Sequence, residues 1–207
     1  MYKVSVVGID NSGKTSVVRS LDQVEGVSTI HTTTYQNNGS RVARVSGRVV
    51  NELTQFGEAR NLKGVTGLGY FLHLFPYHFE ERAKGSSQVL VSDRDTIVDT
   101  LCYSDFYLPS GFSRIVRTPL KFLLQHSFSY PNSFCYLEVS SEVSVQRNNK
   151  PLQLHDTIKD LDRLRELFEE ELFLAERQGI QVVRIDTDTK PLEEVADEVT
   201  FHVTRLL

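Results

Sequence analysis

Gly8 to Ser16, GIDNSGKTS, hold the clearest chemistry in this chain of 207 residues. Gly8, Gly13, Lys14 and Thr15 fall on the spacing G-x-x-x-x-G-K-[ST], the P-loop pattern. Glycines let a backbone fold tightly round an anion, so that successive N–H groups point inward. A helix starting just after the loop adds the positive end of its dipole. In such a loop Lys14 reaches the β- and γ-phosphates of a nucleotide, the Thr15 hydroxyl ligates Mg²⁺, and Asp10, Asn11, Ser12 and Ser16 complete the cradle. The flanks agree: Lys3 to Val7 is a short apolar strand and Thr15 to Leu21 has helical character. The competing reading is a chance glycine-rich turn before a helix, and strand, loop and helix in sequence weigh against it.

A second cluster lies at Asp93-Arg94, at the end of the apolar run Gln88-Val89-Leu90-Val91-Ser92. Charged residues at the carboxyl end of a central strand, beside a P-loop, lie next to a transferring phosphate. Asp93 would hold Mg²⁺ directly or through water, or orient the attacking oxygen. Arg94 would fork onto a phosphate. A surface ion pair at a strand end is the alternative. Between the two clusters runs YFLHLFPYHFEERAK, Tyr70 to Lys84. Its aromatics are core or interface by default, although apolar pockets use a few such rings to hold flat ligands. His73 and His78 lie five apart, which is not the i, i+4 spacing of a helical metal pair.

Around these residues the chain alternates strands with helices. Val27 to Tyr35 is rich in β-branched residues and reads as a strand, followed by a polar loop, Gln36 to Ser40. Residues 41–60 are helical in character. Lys63 to Gly69 is glycine-rich and reads as a flexible joint, and 40–84 is the most irregular part. Pro76 begins a helix or kinks one. Thr96 to Tyr107 and Arg114 to His126 are helical, with a turn at Pro109-Ser110-Gly111. Ser133 to Val139 is a strand, and Ser140 to Gln146 a short helix capped by Ser140 or Ser141. Asp156 is placed to cap a long helix whose apolar positions 158, 161, 164, 168, 172 and 175 keep the helical period, and Gly179 to end it. Ile180 to Ile185 is a strand, and Leu192 to Leu206 a final helix. Alternation of this kind builds βαβ units: an α/β domain spanning 1–207, with a five-stranded parallel sheet covered by helices on both faces.

Composition narrows the classes further. A net charge of −4 provides no global basic field, which disfavours a nucleic acid polymer as partner. No apolar run approaches about 18 residues, so no membrane span is expected. Met1 leads straight into the first strand, which predicts no signal peptide. Cys102 and Cys135, far apart in sequence, read as reduced structural thiols of a cytoplasmic protein.

Taken in order, these stretches resemble the thymidylate kinase family of P-loop nucleoside monophosphate kinases. The loop GIDNSGKTS carries an Asp two residues after its first Gly. Phe79-Glu80-Glu81 precedes VLVSDRD, similar to the family's aspartate-arginine motif after its third strand. Phe134 to Arg147, FCYLEVSSEVSVQR, looks like the strand leading into the lid. Ile185 to Val195, IDTDTKPLEEV, is similar to the closing strand, base loop and last helix. The resemblance implies a single P-loop NTPase domain with ATP and Mg²⁺ as cofactors, transferring a phosphoryl group to a nucleoside monophosphate, dTMP to dTDP. It implies that Asp10 faces the acceptor and that Arg94 binds the acceptor's phosphate. Tyr70 or Phe75 would wall a flat base. Arg147 and Lys150 would close over the ATP phosphates, and Thr189 in loop 187–191 would lie near the adenine. It also implies mobile segments at 40–84 and 148–155, a small-molecule nucleotide substrate and a homodimer.

The chain departs from that family at three places. Thr33-Thr34-Tyr35-Gln36 stands where an arginine-glutamate-proline stretch is usual, Phe75 where an arginine often meets thymine, and the lid holds only Arg147 and Lys150. Other readings therefore stay open. One is a nucleoside or other small-molecule kinase with an uncharged acceptor; another is a nucleotide binder without turnover. A third is a small GTPase, since the loop also looks like that of the ADP-ribosylation-factor group. Against the GTPase, the third strand ends in SDRD rather than D-x-x-G, and Asn149-Lys150-Pro151-Leu152 lacks the Asp of a guanine motif.

Overall fold

The computed structural model describes residues 1–31, 40–84, 87–107, 121, 122, 124, 128, 130–148 and 157–207. Five strands, β1 (Tyr2–Val7), β2 (Val27–Ile30), β3 (Val89–Ser92), β4 (Ser133–Glu138) and β5 (Gln181–Asp186), form one sheet in the order β2-β3-β1-β4-β5. Every pairing is parallel. The inner strands are buried nearly throughout, as near-continuous apolar runs require when helices cover both faces. Alternate residues of β4 divide between two cores. Phe134 and Tyr136 join Val98, Tyr103, Leu164 and Phe168 on one face. Cys135 and Leu137 join Val17, Val18, Val195 and Val199 on the other. At the β5 edge Arg184 reaches Glu138, Glu169 and Glu176, placing charge where an open strand invites pairing.

The helices are α1 (Lys14–Ser20), α2 (Arg41–Ala59), α3 (Lys63–Leu72), α4 (Leu74–Ala83), α5 (Val98–Tyr107), α6 (Ser141–Arg147), α7 (Ile158–Arg177) and α8 (Leu192–Thr204). Polar side chains start three of them. Ser40 accepts from the Ala43 N–H, Ser140 from Val143 and Thr157 from Asp160, the N-cap bond that satisfies an otherwise orphaned donor. Gly179, at φ +85°, follows α7 as expected.

Three expectations are corrected. The glycine-rich stretch 63–69 is helix, not a joint. Two of its three glycines serve close packing: a Cβ on Gly67 would lie 2.8 Å from Tyr107 Cβ, and one on Gly69 3.0 Å from Thr54 Cα. For the same reason 40–84 is not irregular but three successive helices, α2 to α4. The cap of α7 is Thr157, one residue after the one expected; Asp156 lies outside the described residues. So do the continuation of the second strand beyond His31, the turn at 109–111, most of 114–126, and the lid beyond Asn148.

The topology sets the site. The chain leaves β1 toward β2 on one side and leaves β4 toward β5 on the other. Loops that diverge between neighbouring strands open a crevice at the carboxyl edge of a parallel sheet. The Gly8–Ser16 loop leaves β1 at that crevice. Among the described residues no helix is long and apolar enough to cross a membrane.

Candidate functional site

The loop after β1 is shaped by backbone that few residues tolerate. Gly8 has φ +148°, and a Cβ there would lie 2.6 Å from the Leu137 carbonyl oxygen on β4. Asn11, at φ +58°, is a residue type that accepts the left-handed region. Gly13, at φ +95°, stands at the N-cap of α1 with no side-chain cap. Helix α6 braces the turn from outside. Ser144 Oγ donates to the Asp10 carbonyl at 2.7 Å, and Asn11 Nδ2 donates to the Ser144 carbonyl at 3.2 Å.

Lys14 is 7 % exposed. Its Nζ donates to the carbonyls of Gly8 at 2.8 Å and Ile9 at 2.7 Å, and to Ser12 Oγ at 3.4 Å, so the ammonium is folded across the mouth of the loop. Burial lowers its pKa; Asp10 pulls it back up and Arg94 pushes it down. One residue on, Thr15 Oγ1 donates to Asp93 Oδ2 at 2.7 Å, and Tyr77 OH from α4 donates to Asp93 Oδ1. The Asp93 N–H donates to the Ile30 carbonyl at 3.0 Å. Asp93 is thus held by β2, α1 and α4 and is 1 % exposed.

Arg94 sits among carboxylates and rings. Its Nη1 lies 3.2 Å from Asp99 Oδ1, its Nη2 3.8 Å from Asp10 Oδ1, and its guanidinium carbon 5.5 Å from the centroid of Tyr103. Burial alone would lower its pKa, but Tyr103, Asp99 and Asp10 raise it well above the ordinary value, so the charge persists. Asp99 Oδ2 accepts the Asp95 N–H at 2.7 Å. Burial raises the Asp99 pKa to about 6, against the pull of Arg94. Asp95 accepts from Ile97 and Val98 N–H groups and from Ser5 Oγ, so it caps α5 and ties it to β1. Tyr103 OH donates to Asp10 Oδ1 at 3.3 Å. Tyr70 stacks on Tyr103 at 4.5 Å and 5°, and on Tyr107 at 5.4 Å and 13°.

The fold therefore gathers Gly8, Asp10, Asn11, Ser12, Gly13, Lys14, Thr15, Asp93 and Arg94 at one crevice, with Tyr70 joined through Tyr103. Ser16 is exposed in the first turn of α1. Phase around α4 separates Phe75 from the site: it lies two residues, roughly 200°, from Tyr77 and is 42 % exposed. Arg147 donates to the carbonyl of Thr187, placing it beside loop 187–191. There Thr189 Oγ1 donates to Asp186 Oδ2 at 2.8 Å. Lys150 lies outside the described residues. Cys102 and Cys135 are both buried and not joined in a disulfide, and burial pushes the Cys135 thiol up to about 12.

Sequence reasoning missed Tyr77, Asp95, Asp99 and Tyr103. Asp95 carried a legible signal, an Asp just before an apolar helical run. Tyr77 carried none, since its partner Asp93 stands 16 residues away on another element.

A hydroxyl and a carboxylate hydrogen-bonded to one another beside a glycine-rich loop are hard oxygen donors. They suit Mg²⁺, which takes one or two protein ligands together with substrate phosphates. No family model matches the chain, and no curated protein matches it.

Proposed function

We propose that this protein is a P-loop phosphotransferase that uses Mg·ATP to phosphorylate a small nucleoside-type acceptor. The observation that carries the reading is the Thr15–Asp93 hydrogen bond, at 2.7 Å, one residue from the buried Lys14. Lys14 would leave its loop carbonyls for the β- and γ-phosphates, and the loop N–H groups would hold the same oxygens. Mg²⁺, when bound through Thr15 and Asp93, would neutralise charge on the phosphates during transfer. Arg147 and Lys150 would close on the donor from the lid side, and loop 187–191 would flank its base.

The resemblance to thymidylate kinases implies dTMP as acceptor, with Arg94 on its phosphate. One observation favours the second reading, an uncharged acceptor on the same scaffold: two carboxylates, Asp10 and Asp99, already hold Arg94.

The test is Lys14→Ala with ADP release as the readout. Turnover should fall by about 10²–10³-fold or more, the scale for losing charge stabilisation at a developing oxyanion, while circular dichroism stays unchanged. Wild-type turnover in that variant sinks the assignment. A GTPase would instead be stabilised by GTP far more than by ATP in a thermal-shift series, and a non-catalytic binder would bind ATP without releasing ADP under any acceptor.

A further inference from the structure

We propose that Ser144, on α6, is a positioning residue for phosphate binding: it holds the peptide between Asp10 and Asn11 with its N–H turned toward the anion. This inference rests on the phosphotransferase reading, in which the loop Gly8–Ser16 carries the phosphates of the donor. It adds to that loop a residue 134 positions from Asp10 along the chain.

One peptide group sets the geometry. A trans peptide is planar, so its C=O and N–H point in opposite directions. The Asp10 carbonyl faces α6, where it accepts from Ser144 Oγ at 2.7 Å. The Asn11 N–H therefore points away from α6, toward the hollow of the turn. Among the described residues it meets no acceptor, and Asn11 is half-buried, not sealed from solvent. A backbone donor left in this way in a turn with left-handed residues is available to an anion.

Reversal of the same peptide would undo the site. Rotation about its flanking bonds would turn the Asp10 carbonyl inward and set an acceptor, in place of a donor, against the phosphates. Asn11 lies at φ +58°, a region that a residue with a side chain leaves readily when nothing holds it there. Ser144 holds it twice. Its hydroxyl fixes the carbonyl before Asn11, and its own carbonyl accepts from Asn11 Nδ2 at 3.2 Å. A flip of the peptide breaks the first bond, and a turn of Asn11 out of the left-handed region strains the second.

The support behind Ser144 is rigid. Its side chain is fully buried, and its N–H donates to the Ser140 carbonyl at 2.9 Å within the first turn of α6. The Ser140 N–H donates to Asp188 Oδ1 at 2.8 Å, and Ser141 Oγ donates to Asp162 Oδ1 on α7 at 2.7 Å. A helix tied at two further points holds its contact with the loop in place. The strand that leads into α6 adds another hold, since Gly8 is seated against the Leu137 carbonyl of β4. The loop is thus fixed at its first residue by β4 and at Asp10 and Asn11 by α6.

The experiment titrates Mg·ATP by calorimetry into the wild type, Ser144→Ala and Ser141→Ala. Ser144→Ala should weaken binding about 10-fold, the low end for a hydrogen bond to a charged group. Ser141→Ala removes an equally buried hydroxyl from the same helix, one that faces α7 and not the loop, and should bind as the wild type does. In amide NMR spectra the Asn11 N–H should shift downfield when Mg·ATP saturates the wild type and stay in place when it saturates Ser144→Ala. Ser144→Cys is close to serine in shape and has only a weak S–H donor. It should show a smaller loss, and it carries the test if the alanine variant does not fold. Equal affinity and an equal Asn11 shift in Ser144→Ala and the wild type overturn the role of Ser144 and leave the phosphotransferase reading standing. Equal losses in Ser144→Ala and Ser141→Ala mark a general loosening of α6 and overturn it as well. A wild type that does not bind Mg·ATP overturns the phosphotransferase reading itself, and this inference with it.

Discussion

Asp93 uses both carboxylate oxygens within the protein, and Tyr77 supplies the donor that no P-loop pattern includes. Tyr77 is therefore a positioning residue: it fixes the carboxylate that, in the proposed function, faces the metal. Tyr77→Phe leaves a buried carboxylate oxygen short of a donor, which costs about 1–3 kcal/mol. Urea denaturation should read that loss. Calorimetry should show ATP binding weakened more in the presence of Mg²⁺ than in its absence. Equal stability in the two proteins would mean that the hydroxyl does not hold Asp93.

His73 predicts an acid dependence. It is half-buried, and burial, with Arg94 as the second cause, lowers its pKa from 6.5 to about 3. Between those values the unfolded chain binds more protons than the folded one, so stability rises with pH and is lost as pH falls below 6.5. Asp99 acts in the opposite sense. Raised from 3.8 to about 6, it gives the folded state the extra proton in that window, and its contribution falls as pH rises. Comparing His73→Phe with the wild type leaves Asp99 common to both. The drop in melting temperature from pH 7.5 to pH 5 should be smaller in the variant, and an equal drop would remove His73 as the cause.

At the scale of elements, α2, α3 and α5 are brought together by glycines that look like breakers in sequence. A Cβ on Gly57 would lie 2.7 Å from the Thr66 nitrogen, and one on Gly69 3.0 Å from Thr54 Cα and closer still to its hydroxyl. Overpacking of this kind costs about 1–3 kcal/mol, so Gly69→Ala should lower the melting temperature. Gly64, on the same helix, has nothing within 4 Å of such a Cβ. Gly64→Ala should raise stability by up to about 0.5–1 kcal/mol, the helix cost of glycine. If both changes destabilise alike, backbone freedom and not close packing explains the glycines. The spacing also bears on the site, because α3 carries Tyr70 to the Tyr103 ring and α4 carries Tyr77 to Asp93.

For the whole molecule, one surface stands apart. Val42, Val45, Val49 and Phe56 are exposed along α2 at the i, i+3, i+7 spacing of a narrow helical seam. Its N-terminal half carries Arg41, Arg44 and Arg48, and its C-terminal half Glu52 and Glu58. Two such helices meeting antiparallel would set opposite charges across a shared apolar line. This suits the homodimer that the resemblance implies. Gel filtration should show a dimer that Val45→Glu with Val49→Glu converts to a monomer; co-elution of the two proteins would count against this seam.

The sequence by itself determined the glycine-rich turn at Gly8–Ser16, the parallel α/β class, the strand-end Asp93-Arg94 and the long helix ended by Gly179. Each of these is written in local spacing: a motif nine residues long, runs of apolar residues, a glycine where the backbone turns left-handed. Tertiary structure decided the rest. Whether Gly67 and Gly69 break a helix or seat it depends on Tyr107 and Thr54, which lie far along the chain. Local spacing likewise says nothing of Tyr77, because a hydrogen bond between a helix and a distant strand end leaves no periodic trace. Arg94 shows the limit most directly. Its sequence position says that it can meet a phosphate, but its environment sets two carboxylates and a tyrosine ring around it. Charge acts through space, so only the folded neighbourhood can assign its partner.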